Sequence, residues 1–245
     1  MSGPHVTTFR DLPRTERLRL TAQGTTHFED ALAELTDDEL RAPSLLPGWS
    51  RRHLVGHVGH NGAALLRLLD WAETGIPTPM YASPEQRNAE IEESADWEPH
   101  RLRSLVTDTA DRLDRRWRGL EPRAWAAEVT TAQGRTVPAE ETLWMRAREV
   151  WVHAVDLGSG SGFSDIPEPV LTGLLADITG KWRTTGTPVD LVLEVDGATP
   201  VTVESGTEGA PVTVAGPLHA IVRWAAGRGA DGLRAGGDTA PPRWL

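Results

Sequence analysis

Residues 138–158 run PAEETLWMRAREVWVHAVDLG and spell an amphipathic helix. Leu143, Ala147, Val150, Ala154 and Leu157 recur at three- and four-residue steps, the spacing that lines up apolar side chains on one helix face. Pro138 opens the segment, Glu140 and Glu141 suit the positive end of the helix dipole, and Gly158 stops it. Beside the apolar stripe, Glu149 and His153 stand four residues apart, so both side chains leave one face about 40° from each other. That geometry can hold one metal ion, although a solvated ion pair has the same spacing.

Upstream, the same periodicity predicts three more long helical segments. The first covers residues 14–35. The second covers residues 50–74, with Ser50 as N-cap after the Leu45-Leu46-Pro47-Gly48 turn, and the third residues 83–120, started by Ser83-Pro84 and open to interruption at Glu98-Pro99. Residues 131–135 read as a loop. Four helices with short or moderate connections imply a bundle. After the Gly158-Ser159-Gly160-Ser161-Gly162 linker the pattern changes. A helix over residues 168–183 precedes β-rich stretches at 189–195, 201–204 and 212–215 and a last helix over 217–228, while the tail at 238–245 reads as extended. The expected fold class is α+β: an N-terminal four-helix bundle in residues 1–162 and a smaller C-terminal α/β domain in residues 163–245.

Composition narrows the function. A formal net charge of −10 without a basic cluster repels phosphate backbones and anionic lipid, so neither nucleic acid nor a membrane is an expected partner. Residues 1–20 lack the features of a secretion signal, and the expected location is the cytoplasm. There is no cysteine, so any thiol chemistry must use a bound small-molecule thiol. Ten tryptophans against one tyrosine are read first as core filling.

The second helix carries His53, His57 and His60 on one stripe, which a bundle can turn toward Glu149 and His153. Two histidines and a glutamate suit a catalytic zinc site with an open position, but spacing does not choose among the three histidines. Asp156 is placed to orient a ligand histidine; a carboxylate at a helix end is more often solvated, and that reading is preferred. Arg223 and Arg228 point to different faces. Arg228 is read as a cation at a helix C-terminus, whose flanking glycines also allow it to approach a substrate carboxylate.

Residues 131–139, 141–146 and 148–157 resemble mycothiol-dependent maleylpyruvate isomerases, as do Leu46-Pro47-Gly48-Trp49-Ser50 with His57, Thr78-Pro79-Met80-Tyr81, residues 221–229 and the closing Pro241-Pro242-Arg243-Trp244-Leu245. The resemblance spans nearly the whole chain. It implies a DinB-like bundle binding a divalent metal, normally zinc, through His57, Glu149 and His153, with His53 and His60 outside the ligand set. Arg228 falls on the family's essential arginine, and His57 and Arg228 are the implied catalytic residues. The implied reaction is cis–trans isomerisation of maleylpyruvate to fumarylpyruvate in gentisate breakdown, by mycothiol thiolate addition, bond rotation and elimination. A monomer is the default expectation. The rival readings are a mycothiol S-transferase on the same fold and a non-catalytic regulatory protein whose metal ties helices together.

Overall fold

The computed structural model describes residues 7–206 and 209–244, which form two compact units. Met1 to Val6, within the N-terminal stretch read for a signal, and Leu245 of the expected tail lie outside the described residues.

The larger unit, Arg14–Ser161, is helical. Its elements are α1 (Arg14–Ala33), α2 (Arg51–Thr74), α3 (Pro84–Ala95), α4 (Pro99–Gly119), the single turn α5 (Pro122–Trp125), a hairpin of β1 (Glu128–Thr130) and β2 (Thr136–Pro138), and α6 (Glu141–Asp156). Within it α2 packs against α3, α4 and α6, while α1 packs against α6 and α4. The four long helices thus make the expected bundle. Ser50 caps α2 by accepting the backbone N–H of His53, and Gly75 closes it at φ 72°. The segment expected over residues 83–120 is two helices. The break spans Asp96 to Glu98, at the interruption expected at Glu98-Pro99, and Pro99 occupies the first turn of α4, where its missing N–H costs nothing.

The apolar stripe of α6 is core: Leu143, Ala147, Val150, Ala154 and Leu157 are all fully buried. Each leucine or valine so placed stabilises by about 2 kcal/mol. On α2, Gly56, Gly59 and Gly62 make a seam for its neighbours. A Cβ at Gly59 would stand 2.6 Å from the Leu105 side chain, and one at Gly62 2.7 Å from Thr109 Oγ1, so only glycine lets α4 come this close. The residues flanking the expected loop at 131–135 pair as an antiparallel hairpin, Glu128 opposite Pro138 and Thr130 opposite Thr136.

The smaller unit holds α7 (Glu168–Thr185), β3 (Leu191–Val195), β4 (Val201–Val203), β5 (Val212–Gly216) and α8 (Leu218–Ala225). Strand order is β4-β3-β5, with β4 antiparallel and β5 parallel to β3. The last helix ends at Ala225, three residues before the expected limit, and Gly227 follows at φ 74°. Residues 7–13, assigned from sequence to the N-terminal domain, group with this unit instead. Phe9 is fully buried, and Arg10 Nη1 meets Asp177 Oδ1 at 2.8 Å. Trp182 and Trp224 fill its core edge to face, 5.9 Å apart. Their indole N–H groups donate to the carbonyls of Pro242 and Thr239, which fixes the tail; residues 240–244 carry no helix or strand. Among the described residues no helix is long and apolar enough to cross a membrane.

Candidate metal centre

His57 sits in the second turn of α2, and Glu149 and His153 lie one turn apart on α6. Because these helices pack together, the three side chains converge, each offering one ligand atom within 4.8 Å of the others. Glu149 Oε2 is 3.0 Å from His57 Nε2 and 3.3 Å from His153 Nε2. Two ligands at about 2.1 Å from a tetrahedral zinc stand about 3.4 Å apart, so this spacing fits such an ion. His57 is 7% exposed, and its ring meets that of His153 at 5.1 Å, nearly perpendicular. His153 Nδ1 is 2.9 Å from Asp156 Oδ2.

Asp156 is fully buried, contrary to the solvated reading preferred from sequence. The last turn of α6 is covered by the chain before α2 and by the first residue of α2: the backbone N–H of Leu45 donates to the Asp156 carbonyl, and the Arg51 side chain to those of Leu157 and Gly158. A carboxylate in that position orients a ligand histidine and raises its basicity.

The protonation pattern follows from this packing. Burial works against charge on Glu149, but hydrogen bonds from His153 and His57 outweigh it and hold the carboxyl well below its ordinary range. Burial pulls His153 down, yet Asp156 and Glu149 together push it up to about 9. His57 is lowered chiefly by burial, against the pull of Glu149, so it is the neutral member of the cluster. Its Nδ1 faces Arg87 Nη2 of α3 at 3.3 Å.

A small pocket of about 70 Å³ opens over His57 and Glu149, walled by Tyr81, Arg87, Gln133 and Arg148 among others. Burial pushes the Tyr81 phenol up to about 12, so it remains a neutral hydrogen-bonding group. Trp49 lies edge-on to His57 with ring centroids 5.5 Å apart. Six of the ten tryptophans are core, namely Trp117, Trp125, Trp144, Trp151, Trp182 and Trp224, whereas Trp49 borders the cluster. His53 and His60 point elsewhere. His53 Nε2 is 3.3 Å from Glu92, and His60 Nδ1 is 3.8 Å from Glu90. Arg87 was not singled out from sequence; only its short distance from the Thr78-Pro79-Met80-Tyr81 run hinted at it.

Arg228 lies in the smaller unit, just past α8. Its Nη1 donates to the Ala226 carbonyl, and Arg223 Nε donates to its own carbonyl. Both bonds lie just past the C-terminal end of α8. Arg223, inside α8, also pairs with Asp231 at 2.6 Å, whereas Arg228 lies past the end of that helix and so, contrary to expectation, does not share a helix with it.

These features define a class: a helical bundle whose facing helices present two histidines and a glutamate able to hold a metal ion, joined in one chain to a small mixed-sheet unit. Residues 21–158 match the mycothiol maleylpyruvate isomerase N-terminal domain, and residues 165–243 match the C-terminal domain of the same isomerases. The crystal structure of a mycothiol-dependent maleylpyruvate isomerase is 49% identical with a TM-score of 0.92, covering 97% of this chain and all of that one. A histidine-to-alanine mutant of such an isomerase, 48% identical, gives the same TM-score and coverage. No curated protein matches the chain. The chain belongs to the mycothiol maleylpyruvate isomerase family, a family of enzymes.

Proposed function

We propose that this enzyme isomerises maleylpyruvate to fumarylpyruvate with mycothiol as its thiol, using a divalent metal, zinc by preference, held by His57, Glu149 and His153. The observation that carries the reading is the convergence of these three side chains in a chain that matches both domains of the family. Two imidazoles and a carboxylate are a catalytic zinc set that leaves a coordination position open. When bound, metal and thiol supply an activated sulfur whose addition to and elimination from the double bond permit rotation between cis and trans.

The protein's own part is to hold and orient. Asp156 accepts from His153 Nδ1, fixing that ring with Nε2 toward the cluster. The buried setting of His57 keeps its imidazole neutral and so able to ligate. The absence of cysteine means that no side chain competes with the borrowed thiol. Arg228 is assigned to a substrate carboxylate, for which a guanidinium's paired donors are suited.

The test follows the absorbance of maleylpyruvate with zinc-loaded protein, with and without mycothiol, alongside His57→Ala. Turnover should need the thiol, regenerate it each cycle and fall at least about 100-fold in the variant, in line with loss of a metal ligand. Turnover without thiol, or an undiminished variant, would remove the reading. Stoichiometric consumption of mycothiol would make the enzyme an S-transferase.

A further inference from the structure

We propose that Arg87 binds a carboxylate of the substrate inside the helical unit; this rests on the isomerase reading above. Its Nη2 stands 3.3 Å from His57 Nδ1, at the edge of the cluster of Glu149, His57 and His153.

Little else holds this guanidinium. Its remaining hydrogen bond is from Nη1 to the amide oxygen of Asn88 at 3.2 Å, and among the described residues it forms no ion pair. It is half-buried in the wall of the pocket over the cluster, beside the neutral groups of Tyr81 and Gln133. A cation without a counter-ion in such a wall selects an anion, and its planar fork matches a carboxylate through two parallel hydrogen bonds. The proposed substrate carries two carboxylates. One can therefore be met within the unit that holds the metal ligands, by a residue other than Arg228.

Maleate, a cis dicarboxylate, serves as the probe. Its affinity is measured by calorimetry on the full-length, zinc-loaded protein without thiol, for wild type, Arg87→Gln and Arg87→Lys. Zinc content is measured in parallel. The expected result is one zinc per chain throughout, maleate binding at least about tenfold weaker in Arg87→Gln, partial recovery in Arg87→Lys, and a raised KM for maleylpyruvate at unchanged KM for mycothiol. Unchanged maleate affinity in Arg87→Gln would overturn the proposal, as would a KM effect confined to mycothiol. Loss of zinc from that variant would overturn it too, since Arg87 would then only position His57. Arg87-dependent maleate binding in a protein that fails to isomerise maleylpyruvate would defeat the functional reading and leave this one standing.

Discussion

Behind His153 the hydrogen bond to Asp156 sets both the direction and the basicity of the ring. Asp156→Ala should weaken zinc binding about 10- to 100-fold, as loss of an orienting partner commonly does, read by competition with a chelator. The raised His153 value gives a pH dependence of definite sign. To ligate through Nε2 the ring must shed its proton, so zinc affinity should climb as pH rises toward about 9 and level off above it. In the metal-free protein the charged His153 stabilises the fold. That contribution is complete below the unfolded-state value near 6.5 and disappears as pH passes upward through about 9. Urea melts of the metal-free protein at pH 6 and pH 9.5 should show the loss, and the zinc-loaded protein should not share it. At this scale the sequence exposed Glu149 and His153 through their spacing, and the family resemblance singled out His57. Asp156 was misjudged because its burial depends on Leu45 and Arg51, about a hundred residues away. Arg87 escaped notice because nothing about an arginine on a polar helix marks the imidazole it will face.

The close seam between α2 and α4 makes a prediction at the scale of elements. Replacing an interior helical glycine by alanine ordinarily stabilises by about 1 kcal/mol. At Gly62 the new methyl would meet Thr109 at Oγ1 and Cβ, 2.7 and 2.8 Å away, on a β-branched side chain with little freedom to yield. Gly62→Ala should therefore destabilise by about 1–3 kcal/mol, measured by denaturant unfolding of the metal-loaded protein. The boundaries of α2 and the buried stripe of α6 were legible because caps and periodicity are local signals. The β1–β2 hairpin was not. Each strand is three residues long, too short for alternation to register, and its pairing depends on Gly134 turning the chain at φ 78°.

Across the whole molecule, the proposed metal ligands and Arg228, proposed to bind a substrate carboxylate, are expected to separate in experiment. Arg228→Ala should leave one zinc per chain, because His57, Glu149 and His153 all belong to the helical unit, while turnover of maleylpyruvate falls sharply. Metal analysis beside steady-state kinetics checks both halves. The grouping of residues 7–13 with the later part of the chain was hidden from sequence, since an N-terminal phenylalanine and arginine do not announce a partner such as Asp177. That grouping makes the helical unit an insertion within the smaller one. A ribosome delivers chain in order, and domains close as their segments emerge. The bundle can thus complete itself while Phe9, synthesised ahead of it, waits for α7 before its ring leaves water, so a side chain made before the bundle finds its place only after it.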